Sequence, residues 1–262
     1  MAGTSYVNGE RGGRISPDDT ALLLGLTVFD TCRTYQGVPF RLDAHLTRLV
    51  ASAQQMGIKA PSTHEMAGEI QAALAELTTL GEHQIRYTLT GGGNRILTVM
   101  SVDLSRVGKP IRVGWLDWEP HPSLPGIVKH GSRASWVVAA AQQGVEEVLL
   151  VDRQNCILES NRSNVFAVSD GVLLTPPLDT RFLEGVTRGA MLEAARTHGI
   201  PVREGPLPMD LRYDELYLSS TLKELAPVVE VCGVPAAGGG PVGEALLQAF
   251  HRLIESECRG EA

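Results

Sequence analysis

Apolar positions recur at helical spacing in "LDAHLTRLVASAQQMGI", where Leu46, Leu49, Val50, Ala53 and Met56 share one face and a helix is predicted from Asp43. Arg48 sits beside that face and not opposite it. A second helix is predicted through "EMAGEIQAALAEL", because Ser62 and Glu65 form the S-x-x-E pair that caps a helix start. After it the pattern changes to strands: "QIRYTLT", "RILTVMSV" and "IRVGWLDW", the first two joined by the turn "GGGN". Upstream, "YVNGERGGRI" reads as a hairpin, since Asn8-Gly9 is a preferred two-residue turn. The N-terminal half is therefore α+β with mainly hairpin connections.

The stretch "EPHPSLPG", residues 119–126, is rich in proline and is the predicted linker. Beyond it the pattern predicts a helix after Lys129, the strand "EVLLVD", a turn at "RQNC", the strand pair "ILES" and "NVFAVS", a turn at Asp170-Gly171 and the strand "LLTPP". A helix from about Gly185 to Thr197, the strand "ELYLSS" and a last helix "VGEALLQAFHRLIES" follow. The expected architecture is α/β (α+β) in two domains: a small α+β domain over 1–118, the linker at 119–126, and a larger domain over 127–262 that carries Lys129.

Composition narrows the function classes. With 23 lysines and arginines against 30 acidic residues, the net charge is -7 and no block of like charge forms a tail. Nucleic-acid binding is disfavoured, because its affinity rests on clustered basic residues. Cys32, Cys156, Cys232 and Cys258 are widely spaced, without a CxxC pair, which fits a reducing cytosol. The N-terminal "MAGTSYVNGERGGRISPDD" lacks the apolar core of a signal peptide. No apolar run approaches the roughly 20 residues of a membrane span. A cytoplasmic protein without membrane attachment is the expectation. The histidines show no H-E-x-x-H or similar spacing, so no metal is expected.

Four segments carry candidate chemistry. In "LPGIVKHGSRASWVVAAAQQG", Lys129 stands between an apolar run and an alanine-rich helix, at an end of the helix dipole where acidic residues are preferred. It is either a surface lysine or one packed against apolar groups, which disfavours its charged form and suits a Schiff-base nucleophile or proton shuttle. In "LESNRSNVF", Glu159 ends one strand and Asn164 opens the next; the carboxylate is either satisfied in its loop or aimed at a pyridinium nitrogen. In "LEGVTRGAML", Gly185, Val186 and Thr187 start a helix, as a plain cap or as an anion site built from N–H groups and the Thr187 hydroxyl. "LSSTLKELAPV" adds a hydroxyl-rich strand-to-turn element at Ser219, Ser220 and Thr221.

Together with "VFDTCRTYQG", "FRLDAHLTRL", "EVLLVD" and "LLTPPLDTRFLEGVTRG", these segments follow one another in a known order. The chain resembles, over nearly its whole length, the class IV aminotransferases. These are fold type IV pyridoxal-phosphate enzymes and include branched-chain aminotransferases, D-amino acid aminotransferases and aminodeoxychorismate lyases. The resemblance implies a two-domain, D-amino acid aminotransferase-like fold, pyridoxal 5'-phosphate as cofactor, a small-molecule amine as substrate and a homodimer. It makes Lys129 the Schiff-base lysine and Glu159 the partner of the pyridine nitrogen. Arg48 would grip the cofactor phosphate, as a planar guanidinium fork can. Val186 and Thr187 would bind it at the helix start, Ser220 and Thr221 at the second turn, with Asn164 also on the cofactor side. Phe29, Arg33 and Arg86 fall on the substrate side; each arginine would bind a substrate carboxylate or pair with an acidic neighbour.

Within the family the resemblance favours 4-amino-4-deoxychorismate lyase, which eliminates pyruvate to give 4-aminobenzoate. The chain is short for a branched-chain enzyme, Thr31 in "FDTCR" places a catalytic hydroxyl where similar lyases carry one, and "KH" follows the lyase-like pattern. Gln84 also replaces the tyrosine common in branched-chain enzymes two residues before the arginine that matches Arg86. The alternative is a branched-chain or D-amino acid aminotransferase. A remote one is a non-catalytic cofactor-binding protein.

Overall fold

Residues 83–90 alternate buried and half-buried side chains almost without interruption, as a strand does when one face covers a core. The computed structural model describes residues 3–77, 81–209 and 212–259, in two compact units. The first comprises the described residues of Met1–Val102, Val128–Ser132 and Ser256–Ala262. Its strands are β1 (Gly3–Val7), β2 (Glu10–Arg11), β3 (Thr27–Tyr35), β4 (Val38–Pro39), β5 (His83–Thr90) and β6 (Arg95–Ser101). They form a six-stranded antiparallel sheet in the order β2-β1-β6-β5-β3-β4. The Asn8-Gly9 turn joins β1 to β2 with both residues at positive φ, as this hairpin turn requires.

Three helices accompany the sheet: α1 (Thr20–Leu24), α2 (Leu42–Gln55) and α3 (Thr63–Ala75). The Ser62 hydroxyl accepts the Glu65 N–H at 3.1 Å, so the expected cap starts α3. The helices α2 and α3 pack on each other, α2 on β3 and α3 on β6. Leu46, Leu49, Met66 and Ile70 are almost fully buried, and so are Ile85, Leu89, Leu97 and Val99 of the strands. Because Leu49 is 0% exposed, Leu49→Ala is expected to destabilise the protein by about 2–5 kcal/mol. Urea unfolding measures it, and a loss well under 1 kcal/mol would contradict this packing.

The second unit comprises Asp103–Ile127 and Arg133–Glu255. Its strands are β7 (Ile111–Asp117), β8 (Glu147–Val151), β9 (Cys156–Ser160), β10 (Asn164–Ser169), β11 (Val172–Thr175), β12 (Val202–Glu204), β13 (Leu207–Pro208), β14 (Glu215–Ser220), β15 (Glu224–Val231) and β16 (Val234–Pro235). The sheet runs β12-β11-β10-β14-β15-β7-β8-β9-β13, with β16 beside β15. Val113, Leu149, Val165, Leu218 and Val228 are at the centre of its core. The helices are α4 (Ala134–Gln142), α5 (Val186–Thr197) and α6 (Pro241–Glu257), the last of which belongs to this unit up to Glu255. Among the described residues, no helix is long and apolar enough to cross a membrane.

The structure differs from the sequence expectations in several places, three of them in the strands and the boundary of the second unit. "ILES" and "NVFAVS" do not pair: β9 lies between β8 and β13, and β10 between β11 and β14, so the hydrogen-bonding edges of both are taken by other strands. Central strand β15 has no counterpart among the expected elements; its Pro227 lacks the N–H a ladder uses, and β7 begins to pair only at Val228. The third difference is the division of the chain. Instead of a boundary at 119–126, residues 103–127 belong to the second unit, where β7 pairs in parallel with β8 and β15, and Val128–Ser132 belongs to the first. Lys129 therefore belongs to the same unit as the N-terminal sheet, and the helix expected after it begins only at Ala134.

Candidate active site

In the first unit, strand alternation sorts the residues of β3. Val28, Asp30 and Cys32 point to one face, Phe29 and Thr31 to the other. Thr31 lies opposite Arg86 of β5, and Arg86 opposite Thr98 of β6, which makes a row of two hydroxyls flanking a guanidinium. Lys129 joins this region through its backbone. Its carbonyl accepts the Phe29 N–H at 3.0 Å, its N–H donates to the Ser52 hydroxyl at 3.1 Å, and Val28 bridges His130. Gly131 follows because a Cβ there would lie 1.9 Å from Thr27 Oγ1.

The ring of Phe29, only 3% exposed, lies under two cations. The guanidinium carbon of Arg86 is 3.6 Å from its centroid and Lys129 Nζ is 5.2 Å away. Among the described residues no carboxylate pairs with Arg86. Burial pushes its pKa down, with the Asp30 charge opposing, yet an arginine stays protonated. A half-buried guanidinium that no described carboxylate pairs with can accept an anion.

Beneath the strand lies a charged cluster that sequence reasoning did not find. Asp30 is 3% exposed and accepts Arg48 Nε and Nη2, both at 2.8 Å. His45 Nδ1 is 2.7 Å from the same carboxylate and must carry the proton, since a carboxylate only accepts. Burial alone would raise the pKa of Asp30, but the charges and hydrogen bonds of Arg48 and His45 hold it well below the usual carboxylate range. Burial lowers the pKa of His45; Asp30 opposes that shift, and the Arg48 and Lys129 charges add to it. Arg48 is thus held in a two-point grip by Asp30. An aspartate among the apolar positions of β3 was the one available signal.

In the second unit, Glu159 on β9 is half-buried, and Asn164 Nδ2 donates to its Oε2 at 3.3 Å. The same amide nitrogen donates to the Leu183 carbonyl at 2.9 Å, tying the carboxylate to the segment that leads into α5. No side chain caps α5, whose N-cap is Gly185. A Cβ at Gly185 would meet Asn164 Oδ1 at 1.9 Å, so only glycine allows this approach. The Thr187 hydroxyl lies 3.4 Å from that of Thr221. Uncapped N–H groups and two hydroxyls can together receive an anion. Val186 and Ser220, both half-buried, adjoin Thr187 and Thr221 in sequence.

The expected residues thus divide into sets. Lys129, Phe29, Thr31 and Arg86 come together, as do Glu159 with Asn164 and Thr187 with Thr221. Arg33 leaves the substrate set: it is 3% exposed, donates to Glu82 Oε2 at 2.5 Å and stacks on Tyr35. Of its two expected roles, it takes that of pairing with an acidic neighbour. Phe29 is too buried to be an open substrate surface and is a platform for the two cations.

Known proteins resemble this chain over most of its length. Residues 27–231 match the sequence model of the family "Amino-transferase class IV". A putative branched-chain-amino-acid aminotransferase of Methanocaldococcus jannaschii is 31% identical, over 87% of this chain and 88% of that protein. A D-alanine aminotransferase of Listeria monocytogenes is 28% identical, over 92% and 91%. The branched-chain amino acid aminotransferase of Escherichia coli superposes with a TM-score of 0.87 at 26% identity, over 98% of this chain and 96% of that one. An aminotransferase of Brucella abortus bound to the cofactor PLP shares the fold, with a TM-score of 0.83 at 21% identity over 96% and 98%.

Proposed function

From the premise that this chain belongs to the class IV aminotransferases, which use pyridoxal phosphate, we propose that it transfers the amino group of a carboxylate-bearing amino acid. The Arg86 guanidinium, which no described carboxylate pairs with and which lies over the same ring as Lys129, carries this reading. A cation there is suited to a substrate carboxylate, with the Thr31 and Thr98 hydroxyls beside it.

The residues fit the cofactor. A primary amine at Lys129, a carboxylate at Glu159 oriented by Asn164, and hydroxyls with uncapped N–H groups around Thr187 and Thr221 match an aldehyde, a ring nitrogen and a phosphate. When bound, pyridoxal phosphate supplies an electron sink for charge developing at the amine-bearing carbon. Lys129 would bear the cofactor and then move the proton at that carbon. Glu159 would hold a proton on the ring nitrogen. Val186, Thr187, Ser220 and Thr221 would bind the phosphate, with Arg48, oriented by Asp30, as a further donor.

Relatives named as branched-chain and D-alanine aminotransferases support transamination over the lyase reading. A single-turnover absorbance spectrum with L- and D-amino acids, and separately with aminodeoxychorismate, tests it. Conversion of the cofactor to its amine form by an amino acid is expected. Reaction with aminodeoxychorismate alone, with release of pyruvate, would replace transamination by the lyase. Arg86→Leu is expected to lower kcat/KM for amino acids roughly 30-fold, the loss of about 2 kcal/mol of charged hydrogen bonding. An equal loss with amines that lack a carboxylate would overturn the role of Arg86.

A homodimer in the cytoplasm completes the proposal. The exposed Leu22, Leu23 and Leu24 of α1 support a subunit contact, and the four free cysteines support a reducing compartment.

A further inference from the structure

Glu147, the first residue of β8, is 0% exposed. Burying a carboxylate costs several kcal/mol of hydration, and an apolar side chain would serve stability as well or better. Its partners show what the charge does. One oxygen receives the Lys223 ammonium, and the other the Ser160 hydroxyl and, at 3.0 Å, that of Ser163.

Those partners sit beside the two cofactor groups. Ser160 and Ser163 bound the short loop between Glu159 and Asn164, and Ser160 N–H closes that loop on the Ser163 carbonyl at 2.7 Å. Lys223 ends the turn that begins at Ser220 and Thr221; its N–H donates to the Ser220 carbonyl at 3.2 Å, and its carbonyl accepts Gly108 N–H at 3.0 Å. The next residue, Glu224, holds φ at +57°, a left-handed conformation that is costly for a side-chain-bearing residue. Its carboxylate accepts His251 Nε2 at 2.7 Å. A strained turn clamped on two sides is one whose shape matters.

We infer that Lys223 and Glu147 are positioning residues: the ion pair of the half-buried lysine with the buried carboxylate locks the Ser220–Thr221 turn to the Glu159–Asn164 loop, so that phosphate donors and ring-nitrogen partner are held in fixed register. The inference rests on the phosphate being bound at Thr187 and Thr221. Neither Lys223 nor Glu147 touches the cofactor in this scheme.

The test compares pyridoxal phosphate with pyridoxal, which lacks the phosphate, binding to the cofactor-stripped full chain. Lys223→Met is expected to weaken pyridoxal phosphate about tenfold, as coupling between residues in contact does. Pyridoxal binding should change less than about twofold, because only the phosphate donors are displaced, and Lys223→Arg should restore most of the loss. Equal weakening of both ligands, or of neither, overturns the inference, since a merely structural role does not distinguish them. If Lys223→Met strands Glu147 and fails to fold, the uncharged pair Lys223→Met with Glu147→Gln takes its place. Retention of the full preference for the phosphate form by that folded double variant overturns the inference equally. Thr221→Val separates the two layers of the argument. If Thr221→Val leaves the preference unchanged, the phosphate placement fails and takes the inference with it; if Thr221→Val abolishes it while the Lys223 variants keep it, only the ion-pair role fails.

Discussion

Lys129→Ala is expected to lower turnover by about 10⁴-fold, the upper range for loss of a positioned proton-transfer group, with the fold intact. The backbone at this residue is fixed by bonds that do not involve its side chain: carbonyl to Phe29, N–H to Ser52. Removing the amine therefore leaves the segment in place and takes away only the chemistry. Cofactor absorbance should shift to that of the unlinked form, while circular dichroism stays as in the wild type. Lys129→Arg should rescue nothing, because a guanidinium does not give up its proton. Turnover at the wild-type rate in Lys129→Ala would sink the assignment of this lysine.

Asp30→Ala is expected to have the largest effect on stability, about 3–5 kcal/mol, as when one partner of a buried ion pair is removed. It leaves Arg48 and His45 without the carboxylate they share. Denaturant unfolding measures it, and a loss below about 1 kcal/mol, the range of a surface pair, would mean the cluster is not structural. The pH dependence follows from the pKa directions. Asp30 titrates below its unfolded value of about 3.9, so its stabilisation is present above that pH and is lost as pH falls further. His45, lowered chiefly by burial, is protonated more readily in the unfolded chain, so stability also declines as pH falls through about 6.5. The wild type should lose stability in both windows on acidification. Asp30→Asn should remove the lower one and keep the upper.

What the sequence made legible was local. The cap at Ser62, the Asn8-Gly9 turn and the helix α2 each depend on neighbours a few residues apart and appear where expected, though the buried stripe of α2 takes in His45 and Ser52 and leaves Val50 and the C-cap Met56 half-buried. The motifs around Lys129, Glu159, Thr187 and Thr221 were legible because each lies within one short segment. Asp30 was not, because Arg48 and His45 reach it only once α2 folds back on β3. Glu147 and Lys223 escaped for the same reason: β8 and the turn after β14 are distant in sequence. The return of Val128–Ser132 to the first unit was hidden more deeply. Main-chain hydrogen bonds hold it, and every residue but proline can make those.

That return has a consequence for how the protein is made. Between Thr27 and Arg33, β3 has β5 on one side, and on the other its Phe29 amide and Thr27 carbonyl bond to residues 129 and 131. A nascent chain that has left the ribosome only as far as β6 exposes this row of main-chain groups, a template for pairing with another chain. The segment that bears the lysine is also the cover for that edge. Synthesis through Ser132 thus covers this edge and sets the Lys129 side chain in place in one event.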